Sequence, residues 1–333
     1  MAETYSNSRL STADECQYKY YLRYMKKRYT KTDMSFFIVG GMVHTIIEDF
    51  YRSRICLTSF TPEEQTQWCI AQLNKAFIKK FGYSQMQAFS SFMSNVESAL
   101  AYTTEQTGAK ARPQATKLWK ESFEEPLQAA KVEVDKLFPV AVPNVIFFKP
   151  FSGLYDQGIK CLTNFVTLHQ RQPNASTVHE YRLDPAIRVS GIDKGGRLDR
   201  IEWLPGGGYK VFDYKTGSQY WSETTLKDSD QLCWYALALK ETYGELPESV
   251  GIWDLLHGKI IEVVLTEEDI VHYKERLSKQ AEKVKALEAK LVENEDAVEL
   301  VTPKSLYEGY KCKSCEYYYD NEVRCKFWPK EDS

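Results

Sequence analysis

The segment GRLDRIEWLPGGGYKVFDYKTG, residues 196–217, carries the acidic and basic side chains best suited to catalysis. Asp213 and Lys215 are two positions apart on a predicted strand, so their side chains point to the same face of a sheet. Asp199 lies on the preceding strand of the same predicted hairpin, which can bring it beside Asp213. An Asp-x-Lys pair on a strand is most often a surface ion pair of little energetic value, so this tripeptide alone does not identify a catalytic site.

Two neighbouring carboxylates and a lysine are suited to a particular chemistry. Carboxylates bind hard divalent cations such as Mg²⁺ or Mn²⁺. Such an ion polarises phosphoryl oxygens and lowers the pKa of a bound water. A lysine can orient that water or stabilise the negative charge that develops on phosphorus. Because buried carboxylates repel one another without a cation, the cluster predicts a metal ion.

Four short motifs occur in a fixed order along the chain and together carry a family resemblance. The motifs are GGMVH ending at His44, Gly196-x-x-Asp199, Asp213-x-Lys215 and Gln231-x-x-x-Tyr235. The last motif places its two side chains on one face of a helix, four residues apart. Together they resemble the RecB-like branch of the PD-(D/E)XK nuclease superfamily, in particular the stand-alone nucleases with an iron–sulfur cluster, including the CRISPR-associated ones.

The resemblance implies a metal-dependent DNA nuclease, and further an exonuclease that acts on single-stranded ends through a metal-activated water. Asp193, in a similar Gly-x-Asp context, is a rival to Asp199, and Glu180 is a weaker candidate for a second metal. The implied roles are metal binding by His44, Asp199, Asp213 and the backbone carbonyl of Tyr214, catalysis by Lys215, and support of the site or of DNA by Gln231 and Tyr235.

Three cysteines cluster late in the sequence as Cys312-x-x-Cys315 followed by Cys325. A C-x-x-C spacing is typical of metal chelation, and three thiolates need a fourth ligand. In the iron–sulfur relatives one cysteine lies far upstream, and Cys16 occupies that place. The resemblance therefore implies a [4Fe-4S] cluster, with Zn²⁺ or free thiols as alternatives. The other four cysteines, Cys56, Cys69, Cys161 and Cys233, lie on apolar helix faces and are expected to be buried thiols.

Residues 17–31 combine six basic side chains and five tyrosines with no acidic residue. Basic side chains contact phosphates, and aromatic rings stack on unpaired bases, which favours a DNA-binding segment. The alternative, weighted equally, is a tyrosine-rich core helix with a solvated basic edge. Lys210 adds positive charge near the predicted site. The DNA-binding candidates are Lys19, Arg23, Lys26, Lys27, Arg28, Arg197, Arg200 and Trp221.

Composition limits the remaining possibilities. The 333 residues carry 43 Lys and Arg against 46 Asp and Glu, a net charge of -3, which excludes a generally basic nucleic-acid-coating protein. No apolar run approaches the roughly 20 residues of a membrane span, and the first residues lack the features of a secretory signal. We therefore expect a cytoplasmic protein that does not contact a membrane.

The elements that position these motifs follow from periodicity and turn signals. Thr61-Pro62-Glu63-Glu64 predicts a helix start with a capping box. Other predicted helices run from Ser11 or Asp14 to about Met25, from Met42 to Arg52 after the Gly40-Gly41 pair, from Asp230 to Glu241, and from Thr266 to about Glu295. Predicted strands span 178–183, 186–190, 196–204, 209–215, 250–256 and 259–265.

This order predicts an α/β protein with a restriction-endonuclease-like core, a mixed central sheet flanked by helices. We expect a large helical insertion and a C-terminal cysteine cluster packed against the N-terminus. The expected segments are N-terminal helices in 1–60, the helical insertion in 61–172, the nuclease core in 173–300, and the cysteine cluster in 301–333.

Three other functional interpretations remain open from the sequence. The first is a catalytically weak DNA-binding or scaffold subunit of a recombination or repair complex, against which the complete Asp199, Asp213 and Lys215 set argues. The second is the nuclease of a helicase complex, whose motor would be a separate chain because this one has no phosphate-binding loop motif. The third is an RNA nuclease.

Overall fold

A mixed sheet of six strands lies at the centre of the molecule, and two further short strands pair with each other outside it. The computed structural model describes residues 4–30, 33–57, 59–81, 145–146, 151–171, 176–189 and 192–294, with 312, 315–319, 323 and 325. The strands are β1 (Thr4–Tyr5), β2 (Asp33–Met34), β3 (Val145–Ile146), β4 (Ser176–Val189), β5 (Ile192–Trp203), β6 (Tyr209–Lys215), β7 (Ser249–Asp254) and β8 (Lys259–Val263).

The order of the main sheet is β1-β5-β6-β7-β8, and β4 also pairs with β5. Strands β5 and β6 form the predicted antiparallel hairpin around a glycine turn, in which Gly207 has a φ of 92° that favours glycine. Strand β6 runs parallel to β7, whereas β7 and β8 are antiparallel. Strand β6 is therefore central, hydrogen-bonded to a neighbour on each side.

Nine α-helices within the described residues flank this sheet. The second continues into a π-helical turn over Tyr21–Met25. Among the described residues every helix is too short or too polar to cross a membrane. The helices are α1 (Asn7–Glu15), α2 (Gln17–Tyr20), α3 (Ser35–Arg52), α4 (Pro62–Phe81), α5 (Phe151–Gln170), α6 (Glu223–Lys227), α7 (Asp230–Tyr243), α8 (Glu267–Glu293) and α9 (Glu316–Tyr319).

The two faces of the sheet bury different helices. On one face Ile201, Val211 and Ile252 pack with α1, α2, α7 and α8. On the other face Phe212 and Trp253 pack with α3, α4 and α5. Helices α4 and α5 are the described ends of the predicted insertion, so both ends of that segment share a core with the sheet. Residues 82–144, the middle of the expected insertion, lie outside the described residues.

Two helix boundaries differ from the sequence predictions. The expected single helix through Met25 is divided at Cys16, whose φ of -157° and ψ of 106° are extended. The Cys16 sulfur then accepts a hydrogen bond from the backbone amide of Lys19 at 3.4 Å and caps α2. Helix α3 begins at Ser35, so the glycine pair lies inside the helix instead of opening it. By contrast, Thr61 and Glu64 form the predicted capping box at the start of α4.

Candidate active site

The end of β6 carries the predicted Asp-Lys pair on one face of the sheet. Lys215 Nζ lies 2.7 Å from Asp213 Oδ2, as strand alternation predicts. The Asp213 side chain is buried, whereas that of Lys215 is about a quarter exposed. The ring of Tyr214, between them, packs into the core on the opposite face. This strand end therefore presents one sheltered carboxylate and one accessible ammonium group.

Asp199 reaches the same place from β5. The observed register pairs Arg200 with Phe212, and its continuation by one residue sets Asp199 opposite Asp213. Asp199 Oδ2 accepts the backbone amide of Tyr214 at 2.8 Å. The rival Asp193 lies six residues earlier on β5, beside β1, and contacts Arg188 at 3.9 Å. The side chain of Glu180 lies outside the described residues.

His44 comes to these strands from α3. Its Nε2 lies 3.1 Å from the carbonyl oxygen of Tyr214, and its Nδ1 lies 3.5 Å from Asp199 Oδ1. Helix α3 can approach this closely because Gly40 has no side chain: a Cβ there would lie 3.2 Å from Thr216 Oγ1. A helix-disfavouring glycine is thus used where the helix passes the end of β6.

Helix α7 completes the arrangement with two polar side chains one turn apart. Lys215 donates to Gln231 Oε1 at 2.9 Å, and Gln231 Nε2 donates to Asp213 Oδ1 and to the Tyr235 hydroxyl, both at 2.7 Å. Tyr235 in turn donates to the backbone carbonyl of Arg197 at 2.9 Å. The predicted Gln-x-x-x-Tyr motif therefore holds the amide of Gln231 between the two charged groups.

The two carboxylates have opposite pKa shifts. Burial, followed by the nearby charge of Asp199, raises the pKa of Asp213 to about 6, although Lys215 opposes the shift. Burial would also raise the pKa of Asp199, but the contacts with His44 and with the Tyr214 amide lower it below its ordinary value. Neighbouring acidic groups whose pKa values are shifted in opposite directions are typical of functional sites.

The donor set suits a hard divalent cation. Carboxylate and carbonyl oxygens are ligands of Mg²⁺ and Mn²⁺, and an imidazole is compatible with Mn²⁺. Within the described residues, however, no three histidine, cysteine, aspartate or glutamate side chains already form a metal-binding group. Asp213 is instead engaged by Lys215 and Gln231. An ionised carboxylate has about four lone-pair sites, so these contacts leave acceptor capacity on Asp213 for an ion.

The cysteines of the predicted cluster lie at the meeting point of the chain's first and last described segments. The Cys315 amide donates to the Cys312 carbonyl at 3.0 Å, and the Cys325 amide donates to the Tyr317 carbonyl at 2.8 Å. Burial, and then the neighbouring Cys16, raises the pKa of the Cys312 thiol. Burial raises the pKa of Cys315 to about 12, with Cys16 also contributing. The structure therefore brings Cys16 close to the C-x-x-C pair.

The remaining cysteines are mostly placed as expected. Cys69, Cys161 and Cys233 are buried in helices α4, α5 and α7. Cys56 lies in the turn after α3 and is only partly buried, so its expected position on a helix was wrong.

The basic segment is divided between surface and core. Lys26, Lys27 and Arg28 are exposed, whereas Tyr18, Tyr20 and Tyr21 are buried in the core. The tyrosines therefore pack in the core and the basic groups lie outside, whereas DNA contact by those basic groups stays a prediction.

The other cationic candidates are engaged by acidic partners. Lys19 and Arg23 bind Glu316 at 2.9 and 3.0 Å, and Arg197 binds Glu48 at 3.1 Å. Lys210 is paired with Glu262 at 2.8 Å. The aromatic candidate Trp221 lies beside the site, with its ring centre 5.6 Å from Lys215 Nζ.

Arg200 was a wrong prediction as a DNA contact. Its side chain is fully buried against Glu202 and Trp253 on the face of the sheet away from Asp213. It therefore cannot reach a phosphate on the surface.

Two positioning side chains were missed in the sequence. Gln157 on α5 donates to the carbonyl of Thr216 at 2.8 Å, and Asn164 donates to that of Leu255 at 2.7 Å. They satisfy carbonyl groups just beyond the ends of β6 and β7. The sequence pattern that could have revealed them is two side-chain amides, seven residues apart, on an otherwise apolar helix face.

The sequence model of a protein family, the PD-(D/E)XK nuclease superfamily, matches residues 4–318, nearly the whole chain. A search of curated proteins gave no significant match. The family match, together with the mixed sheet and its flanking helices, confirms the expected restriction-endonuclease-like fold class.

Proposed function

This chain belongs to the PD-(D/E)XK nuclease superfamily, and on that premise we propose that it is a metal-dependent DNA nuclease. The observation that carries the proposal is the set of contacts that joins Lys215, Asp213 and Gln231 beside Asp199. A surface ion pair would not need a buried carboxylate, a second carboxylate and an amide aimed at both charges.

We assign the metal ligands as His44, Asp199, Asp213 and the carbonyl oxygen of Tyr214. A bound Mg²⁺ or Mn²⁺ supplies Lewis-acid chemistry that polarises the phosphoryl group and makes water more acidic. His44 would take part through its imidazole, which lies 3.1 Å from the Tyr214 carbonyl oxygen and 3.5 Å from a carboxylate oxygen of Asp199.

Lys215 is the accessible charged group at this site. Its ammonium can hold the attacking water in line with phosphorus and stabilise the charge that develops on the phosphoryl oxygens. Gln231 accepts from Lys215 and so fixes its direction. Tyr235 accepts from Gln231 and donates to β5, which ties this arrangement to the sheet. The chain's own residues thus hold the Lys215 ammonium in a fixed direction beside Asp213.

The finer part of the proposal is exonuclease action on single-stranded DNA ends. It is supported by the exposed cations Lys26, Lys27 and Arg28 and by Trp221 beside Lys215, since rings stack on unpaired bases. A helicase or recombination protein, as a separate chain, would supply such ends.

We also propose that Cys16, Cys312, Cys315 and Cys325 hold a [4Fe-4S] cluster, with Zn²⁺ as the alternative occupant. The proximity of Cys16 to the C-x-x-C pair supports this assignment, because residues nearly 300 apart in sequence meet there. Replacement of Cys312 by serine should remove the metal and lower the melting temperature. The same replacement of Cys233, a buried thiol on α7, is the control. Unchanged iron and zinc contents in Cys312→Ser would contradict the assignment.

The test of catalysis is cleavage of end-labelled DNA with Mg²⁺ or Mn²⁺. Lys215→Ala should abolish cleavage, whereas Lys210→Ala, on the same strand but paired with Glu262, should retain it. Single-stranded, double-stranded and RNA substrates compared side by side would establish the preference. Full activity in folded Lys215→Ala would refute the mechanism. Absence of cleavage by metal-loaded wild-type protein would favour a DNA-binding scaffold.

A further inference from the structure

Arg200 follows Asp199 on β5 and points to the other side of the sheet. Its side chain has no exposed surface. A buried guanidinium costs several kcal/mol unless its partners compensate for lost hydration, so its contacts identify what it organises.

The contacts of Arg200 join three separate elements. Nε donates to Glu202 Oε1 on the same strand at 2.5 Å, which balances the charge. Nη1 donates to the Tyr51 hydroxyl on α3 at 2.6 Å. The guanidinium also interacts electrostatically with Tyr214 on β6, and it lies 4.4 Å from the ring centre of Trp253 on β7. Arg200 therefore connects β5 to α3 and to β6.

Both tyrosines belong to segments that carry ligands of the candidate metal site. Tyr51 lies seven residues after His44, which is two turns along α3 and on the same side of the helix. Tyr214 accepts from His44 through its carbonyl and donates to Asp199 through its amide. The position of α3 relative to β5 and β6 thus sets the distance from His44 to Tyr214 and Asp199.

The surroundings of Tyr51 limit its freedom further. Its ring stacks on that of His179 with centroids 3.6 Å apart, and its hydroxyl lies 3.1 Å from Nδ1 of His169 on α5. The ring contacts hold the side chain in place, whereas the hydroxyl makes the directional bond to Arg200. Removal of the hydroxyl alone would therefore separate positioning from packing.

We propose that Arg200 and Tyr51 are positioning residues that hold the His44 imidazole at the metal-binding edge of β5 and β6. The inference rests on the proposed function for its catalytic consequence, but the contact that it explains lies within the protein, between His44 and Tyr214, and can be measured without an activity assay. The two residues act through α3 and β6 and do not touch DNA.

The test compares Tyr51→Phe with Tyr209→Phe. Tyr209 is a matched control, because it is a buried tyrosine whose hydroxyl donates to the Glu245 carbonyl at 2.6 Å, with no link to α3. In metal-free protein labelled with ¹⁵N-histidine, the His44 ring resonances should shift in Tyr51→Phe and stay unchanged in Tyr209→Phe. In cleavage assays the Mn²⁺ concentration for half-maximal rate should rise about tenfold or more in Tyr51→Phe, with an unchanged KM for DNA.

Arg200→Lys is the second variant, since it keeps the charge opposite Glu202 but loses the forked guanidinium whose Nη1 donates to Tyr51. We expect the same His44 shift and the same rise in the Mn²⁺ requirement, with a circular dichroism spectrum like that of the wild type. Unchanged His44 resonances in both variants would overturn the inference, even if the wild-type enzyme cleaves DNA. Failure of the wild type to cleave DNA would instead count against the proposed function. The His44 resonances of the two variants would then decide the positioning inference by themselves.

Discussion

Lys194 provides the sharpest test of how the structure controls stability. It lies on β5, only 1% exposed, on the face that packs against α7 and α8. Its Nζ donates to the Tyr273 hydroxyl at 2.6 Å and lies 4.7 Å from the ring centre of Trp234. Burial lowers the pKa of this lysine to about 7, although the nearby Asp230 opposes the shift.

The magnitude follows from the difference between the folded and unfolded pKa values. A shift from 10.5 to about 7 is about 3.5 units, so the group costs up to about 5 kcal/mol of stability at low pH. The unfolded chain binds this proton below pH 10.5, whereas the folded chain binds it only below about pH 7. The cost is therefore largest below pH 7 and disappears as the pH rises towards 10.5.

Replacement by methionine removes the ionisable group and keeps the length of the side chain. Lys194→Met also removes the bond to Tyr273, which offsets about 1–3 kcal/mol of the gain. The clearer signal is the pH dependence: the advantage of the variant over wild type should shrink by roughly 2 kcal/mol between pH 7 and pH 9.

Urea unfolding of both proteins at several pH values measures this difference. Lys259→Met, at an exposed lysine on β8, is the control for the replacement of a lysine by methionine. If the difference between Lys194→Met and wild type is the same at pH 7 and pH 9, the lysine stays charged in the folded protein. The rings of Trp234 and Tyr273 would then outweigh the cost of burial, and the reasoning would be refuted.

Three other changes test the site and its supports. Gln231→Leu removes the acceptor that directs Lys215, and kcat should fall about 100-fold with an unchanged circular dichroism spectrum, because small misplacements are costly in catalysis; a wild-type kcat would contradict the assigned role. Gly40→Val would push α3 away from the end of β6 and weaken the response to Mn²⁺ in cleavage assays, whereas Gly41→Val, with open space around its Cβ, should not. Asn164→Ala leaves a strand-end carbonyl without its donor and should lower the free energy of unfolding by about 1–3 kcal/mol in urea titrations.

Local patterns predicted the strands of the site well. Strand β6 has the predicted bounds, and its alternation correctly placed Asp213 and Lys215 on one face. The hairpin to β5 was also visible, because the run of glycines after Pro205 permits a tight turn and little else. These features depend on neighbouring residues, which a single sequence contains.

Features that depend on distant partners were not predictable in the same way. The break at Cys16 places its sulfur near Cys312 and Cys315, and nothing in the adjacent residues requires it. Arg200 resembles a surface cation in sequence, because its partner Tyr51 is 149 residues away. Helix α3 likewise continues through its glycine pair because packing against the sheet outweighs the low helix propensity of glycine.

The join between β5 and β6 has a spectroscopic consequence. Their backbone pairing stops at Arg200 and Phe212, and the amide of Tyr214, two residues further on, donates to a carboxylate oxygen of Asp199. The proton of one peptide group therefore reports directly on how that carboxylate is engaged. The chemical shift of this amide proton and its exchange with deuterium would change if an ion bound Asp199 and weakened the hydrogen bond from Tyr214. The fold thus contains its own probe of the site, with no label attached.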